Sequence, residues 1–202
     1  MLYELITAEV RPGTLGGAVQ QVGEAAAGRA GASELLGCWT TEIGQVNEIV
    51  ALAAVPGRSL DPGEGEPGHW LTNAVESFAV STRLEHLCLF PFLPAIQPGA
   101  YGRVYELRSY VMKPGTTQET IERWEKALPR RMELSRILGA FHGISGSLQK
   151  FVHIWPYASA DERLRIRTEA VAAGIWPPKG GAERLLHMQS SLLIPTAFSP
   201  LR

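Results

Sequence analysis

Tyr3-Glu4-Leu5, followed after five residues by Arg11-Pro12-Gly13-Thr14, reappears as Tyr105-Glu106-Leu107, followed after five residues by Lys113-Pro114-Gly115-Thr116. Every position in the second stretch lies 102 after its counterpart in the first. The offset persists: Leu36-Gly37 matches Leu138-Gly139, Gly44 matches Gly146, and Val50 matches Val152. Near the end of each half Arg83-Leu84, His86 and Pro94 match Arg184-Leu185, His187 and Pro195, now at an offset of 101. Matches in separate blocks, in order, mark an internal duplication. The segment 97–103 carries Pro98, Gly99 and Gly102 and reads as a linker. The expected units are 1–96, a first ferredoxin-like repeat, and 103–202, a second.

The second repeat supplies the element order. Val104 to Met112 is rich in aromatic and β-branched residues and stops at Lys113-Pro114-Gly115, so it reads as a strand. Pro presets φ for a turn and Gly permits positive φ, which is why the strand ends there. Thr116 with Glu119 has the spacing of a capping box, and Ile121, Trp124 and Leu128 recur at helical spacing from about Thr117. Gly139 to Ile144 and Lys150 to Trp155 read as strands joined in a hairpin around Gly146. Ser159 with Glu162 opens a second helix that stops at Gly174, and Leu185 to Ile194 reads as a last strand. The order is βαββαβ. In the first repeat, 56–68 holds three prolines and four glycines, which forbid a regular second helix, and Trp70 to Val80 is left to hold a shorter one.

An antiparallel sheet with helices on one face leaves its other face bare, and two such sheets can cover each other. The expected fold is therefore α+β: two ferredoxin-like βαββαβ repeats forming a dimeric α/β-barrel as a pseudo-dimer within one chain. Its interior would lie between the two sheets.

The second repeat resembles a NIPSNAP domain. The resemblance rests on Tyr105-Glu106-Leu107-Arg108-Ser109-Tyr110 with Lys113-Pro114-Gly115, and on the strand Gln149-Lys150-Phe151-Val152-His153-Ile154-Trp155-Pro156-Tyr157. It extends more faintly over the first repeat and implies a tandem NIPSNAP protein with a fold of the dimeric α/β-barrel type. It implies little about activity. Animal members are linked to mitochondria, vesicle trafficking and mitophagy signalling. The wider superfamily includes cofactor-independent monooxygenases, isomerases and haem-handling proteins. No catalytic set comes with the resemblance.

Composition bounds the partners. Of 202 residues 45% are hydrophobic and 19% charged, an ordinary globular balance. A net charge of −1 gives no electrostatic case for a nucleic-acid partner. No apolar run is long enough to span a bilayer, which takes about 20 residues. The first residues lack a signal-peptide pattern, and Cys38 and Cys88 read as buried reduced thiols, so a cytoplasmic protein is expected. A homo-oligomer is left open. No cofactor is expected, because the dinucleotide, phosphate-loop, nucleophile-elbow and zinc-protease signatures are absent. His86 and His187 match between the repeats, but no neighbouring ligand supports a metal site.

Alternation along strands nominates the site. Tyr105, Leu107, Ser109 and Val111 share one face of their strand; Glu106, Arg108 and Tyr110 share the other. The first set is the more apolar and is expected against the helices. The second set, with His153 and Trp155, is then expected between the sheets, whereas the facing of His142 is undetermined. Through the offset, Arg108, Tyr110, His153 and Trp155 correspond to Ile6, Ala8, Ala51 and Ala53, and only Glu106 is kept, as Glu4. Either the first repeat is a repacked dry half, or its alanines leave a cavity opposite the polar groups.

Glu106, Arg108, Tyr110, His153 and Trp155 are the candidate ligand-binding residues, and Arg108 and His153 the candidate catalytic pair. A guanidinium suits an anionic or enolic oxygen, and imidazole suits proton transfer. Each has a structural alternative, an Arg108–Glu106 pair and a hydrogen-bonded core histidine. Three functions follow. One is binding of a small apolar or aromatic ligand. Another is a cofactor-independent enzyme of monooxygenase, isomerase or cyclase type on an enolisable or polyketide-like substrate. The last is haem binding through His153 or His142.

Overall fold

The elements are taken from a computed structural model, which describes residues 2–28, 34–55 and 69–202. Strand β1 (Leu2–Val10) leads to helix α1 (Leu15–Ala27), β2 (Glu34–Ile43), β3 (Glu48–Val55), α2 (His69–Val75) and β4 (Ala79–Leu89). The second half runs β5 (Val104–Met112), α3 (Thr117–Met132), β6 (Gly139–Gly143), β7 (Lys150–Tyr157), α4 (Ala160–Ala172), a 3-10 turn (Ala182–Arg184) and β8 (Leu185–Pro195). Each half is βαββαβ. The short α2 stands where a shortened helix is expected, while the Pro/Gly-rich segment 56–68 lies outside the described residues.

All eight strands close into one barrel in the order β1-β3-β2-β8-β5-β7-β6-β4. Within each half the central pair is antiparallel, with Glu4 opposite Ala53 in β1–β3 and Glu106 opposite Trp155 in β5–β7. Two seams join the halves inside the single chain. β2 meets β8 with Trp39 opposite Pro195, and β4 meets β6 with Cys88 opposite His142.

An eight-stranded barrel is just wide enough to be filled by its own side chains. Here one end of the lumen holds Tyr3, Leu5, Trp39, Tyr105, Leu107, Phe141, Val152, Ile154 and Leu193 in a single buried cluster. The other end is polar: Lys150 Nζ lies 2.9 Å from the Glu85 carboxylate, and Thr41 Oγ1 donates to Glu48 at 3.2 Å. Two glycines admit the large rings. A Cβ on Gly37 would stand 2.1 Å from the Trp39 indole, and one on Gly139 would stand 2.5 Å from the Phe141 ring. These are the glycines of the duplicated Leu-Gly pair.

The facing inferred from polarity is reversed. Tyr105 and Leu107 fill the lumen; Tyr110, Phe151 and Trp155 pack under α3 and α4 with Trp124 and Ile166. Glu106, Arg108 and His153 stand on that same outer face, because β5 and β7 alternate in register. The physical reason is that rings and aliphatic side chains from both halves fill this end of the lumen, which therefore takes the more apolar set, while the other end opens into a polar space of about 630 Å³ lined by Thr7, Glu48, Ser109 and Lys150. The helices can carry charge of their own to meet polar groups on the outside. Ala51 and Ile6 are likewise outside, packed with Val22 and Leu71 under α1 and α2. Ala51 and Ala53 are fully buried and, alternating with lumen-facing Val50, Leu52 and Ala54, stand on that outer face and not across the lumen from the polar groups.

α3 puts Thr120, Ile121, Trp124, Leu128 and Arg131 against the sheet at helical spacing. Its first turn departs from the expected capping box: Thr116 Oγ1 donates to the Lys113 carbonyl instead. α4 is capped as expected, with the Glu162 amide donating to Ser159 Oγ at 3.1 Å. Cys38 is buried and its thiol is pushed up to about 12 by burial, whereas Cys88 is only half-buried, contrary to expectation. Among the described residues no helix is long and apolar enough to cross a membrane.

Candidate functional site

β5 and β7 bring the five nominated side chains together on the outer face of the sheet. Glu106 is fully buried there. Its Oε1 accepts from Arg108 Nη1 at 2.7 Å, from Arg163 Nη2 at 2.6 Å and from Ser190 Oγ at 2.8 Å. Arg167 Nη1 lies 3.7 Å from the other oxygen. Burial pushes the Glu106 carboxyl up. The Arg163 hydrogen bond and the charges of Arg108, Arg167 and Arg163 outweigh it and hold the group at about 2. Arg163, Ile166, Arg167 and Ala170 fall on one stripe of α4, so the helix delivers two guanidiniums with its apolar contacts.

Arg108 gives two of its donors to this network. Nη1 is on Glu106, and Nε donates to the Tyr110 hydroxyl. The guanidinium therefore braces Tyr110 and neutralises Glu106. Arg131, also buried, lies over the Trp155 ring at 4.5 Å from its centroid.

His153 is 2% exposed. Trp155 Nε1 donates to its Nδ1 at 2.6 Å. Indole nitrogen can only donate, so Nδ1 is the acceptor and the proton of the neutral ring sits on Nε2. Burial, aided by the charges of Arg108, Arg167 and Arg131, holds the imidazole well below the usual histidine range. His153 is thus a neutral ring with an Nε2–H that finds no hydrogen-bond partner among the described residues. A buried donor in this state costs free energy until an acceptor reaches it.

A partly enclosed cavity of about 110 Å³ adjoins it. The floor is the outer face of β5, β7 and β8 through Tyr110, Phe151, His153 and Met188; one wall is α3 through Thr120, Arg123 and Trp124. The lid is the loop after α4, through Trp176, Pro177 and Pro178, and the 3-10 turn with Arg184. Trp124 and Trp176 meet edge to face at 4.6 Å between centroids, and Trp124 stands 4.8 Å from both Phe151 and His153. Of the five nominated residues, Tyr110 and His153 line this cavity, while Glu106, Arg108 and Trp155 stand behind it.

Sequence reasoning misses Trp124, Trp176, Arg123 and Arg184. Trp124 is legible only as a helix-face residue, and Arg184 only as part of the repeated Arg-Leu pair. Their convergence depends on where the loop after α4 folds back. His142 lies on the outer face of β6 with its ring 6.5 Å from Phe90. His86 Nδ1 is 2.9 Å from Ser145 Oγ, and His187 is exposed on β8.

The chain matches the sequence model of the NIPSNAP family over residues 3–59 and 105–200. It is 31% identical over 172 residues to a Protein NipSnap homolog of Dictyostelium discoideum, covering 81% of this chain and 75% of that one. It is 27% identical over 221 residues to Protein NipSnap of Drosophila melanogaster, covering 99% and 78%. A crystal structure of a monooxygenase-like protein of Lactobacillus acidophilus superposes with a TM-score of 0.68 at 10% identity, over 96% of this chain and 93% of that one. That likeness is one of fold.

Proposed function

The chain belongs to the NIPSNAP family, and from that premise we propose that it binds a single-ring aromatic or similarly small apolar molecule on the outside of the barrel. The site is the cavity between the sheet and α3, not the space between the two sheets. The observation that carries the reading is the unpartnered Nε2–H of buried His153 beside an aromatic-walled cavity. Aromatic walls with a few convergent polar groups are how small-molecule sites are built.

Size narrows the occupant. A cavity of roughly 150 Å³ holds benzene, and drug-sized pockets run from roughly 300 to 1,000 Å³. At about 110 Å³ this one is smaller than either, so it takes at most a single ring, part of which would stand in its opening, and it gives no support to haem or a polycyclic polyketide. The enzyme alternative draws support in one form. With its Nδ1 lone pair taken by Trp155, His153 is suited to donate to a developing enolate oxygen rather than to abstract a proton. The repeats 1–96 and 103–202 then divide the labour, with the second half holding the site and the first completing the barrel.

Thermal unfolding with toluene and with phenol tests the reading. Both should raise Tm, phenol by more, and His153→Phe should erase the difference between them. A protein indifferent to both compounds contradicts it.

A further inference from the structure

The cavity has a charge imbalance that says more about its occupant than its shape does. Arg123 and Arg184 both reach Glu119 Oε1, Arg123 through Nη2 at 2.8 Å and Arg184 through Nη1 at 3.0 Å. Two guanidiniums thus share one carboxylate oxygen, and no Asp or Glu lines the cavity. The two sides are unequally hydrated: Glu119 is 48% exposed, whereas Arg184 is 8% exposed. Water screens the carboxylate and leaves the buried cation under-compensated. Arg184 Nη2 is buried with no hydrogen-bond partner among the described residues. Arg123 is better satisfied, since its Nη1 also donates to the Lys179 carbonyl at 3.1 Å.

We infer that the occupant is an anion, a monocyclic aromatic carboxylate of the benzoate type, with its carboxylate on Arg184 and its ring among Trp124, Trp176 and Phe151. This rests on the ring-binding reading above and adds the charge. A carboxylate would supply the acceptor that Arg184 Nη2 lacks, in a charge-assisted hydrogen bond. A small aromatic frame would lie against the walls with its carboxylate turned toward the 3-10 turn that carries Arg184. A ring oxygen, where the compound has one, would meet the His153 Nε2–H.

The test is a titration of the full chain with benzoate, its neutral isostere benzamide, and toluene, read by tryptophan fluorescence. Benzoate should bind at least about tenfold more tightly than benzamide, the value of a charge-assisted contact in a part-buried site. Arg184→Gln should bring benzoate down to the level of benzamide. Glu119→Gln, on an exposed side chain, should tighten benzoate several-fold by removing the competing carboxylate, and it keeps the test sharp should Arg184→Gln fail to fold. If benzamide or toluene binds as tightly as benzoate, or if Glu119→Gln leaves benzoate unchanged, the anion assignment is overturned and ring binding stands. If none of the three compounds binds, ring binding itself falls and the anion assignment goes with it.

Discussion

Glu106 is a buried carboxylate surrounded by Arg108, Arg163 and Arg167, and its role can be read from its titration. The free carboxyl sits near 4.5 and the folded one at about 2, so its folded pKa is depressed. Its contribution to stability is complete above about pH 4.5 and is lost as pH falls through about 2. The shift corresponds to roughly 3 kcal/mol, about what removing one partner of a buried ion pair costs. Glu106→Gln is therefore expected to lower unfolding free energy by roughly 3 kcal/mol at neutral pH and to flatten the decline between about pH 4.5 and 2, as measured by urea denaturation across that range. An unchanged acid limb would show that the arginines do not hold the charge. His153 works in the same direction from a different starting point. Its depressed pKa means that the unfolded chain binds a proton below about 6.5 before the folded one does, so acid destabilises the fold there too.

Among the elements, β5 and β7 are readable from alternation alone, and so is the fact that Glu106, Arg108, Tyr110, His153 and Trp155 share a face. Alternation says which residues stand together, but it does not say which face is the lumen. Polarity misleads there, because α4 brings Arg163 and Arg167 to the outer face and makes a buried carboxylate tolerable. The cavity lining from Trp176 to Arg184 depends on how the loop after α4 returns over α3, a tertiary matter with no local pattern. The repeated Leu-Gly pair, by contrast, is visible in the sequence and has a structural cause: each glycine makes room for the ring two residues on. Gly139→Ala puts a Cβ within 2.5 Å of Phe141, a ring fully buried in the lumen cluster. Overpacking of this kind costs about 1–3 kcal/mol. Thermal denaturation should show the loss, and a Tm equal to that of the unsubstituted chain would mean that the lumen has slack.

At the scale of the molecule, the barrel is one body made of two unequal halves. Two seams, β2–β8 and β4–β6, hold the halves in a single closed sheet, so neither half has a covered sheet without the other. The halves differ on the outside. Under α1 and α2 the first packs Ile6, Ala8 and Ala51 into an apolar cluster, with buried Glu4 on the same face and His86 Nε2 3.6 Å from its carboxylate. Under α3 and α4 the second keeps the arginine network and the aromatic cavity. The lumen between them is a packed core at one end, with Trp39 against Tyr105 at 5.3 Å between ring centroids. The expected place of a ligand is outside the barrel, at the unpartnered Nε2–H of His153, rather than in the polar end of the lumen, a space of about 630 Å³. Tryptophan indole N–H signals separate the two places, since Trp39 is in the lumen, Trp124 and Trp176 wall the cavity, and Trp155 reports through its hydrogen bond to His153. In an NMR titration with benzoate, the signals of Trp124, Trp155 and Trp176 should move together while that of Trp39 stays fixed. Movement of Trp39 with the other three unchanged would place the ligand in the lumen and rule out the outer site.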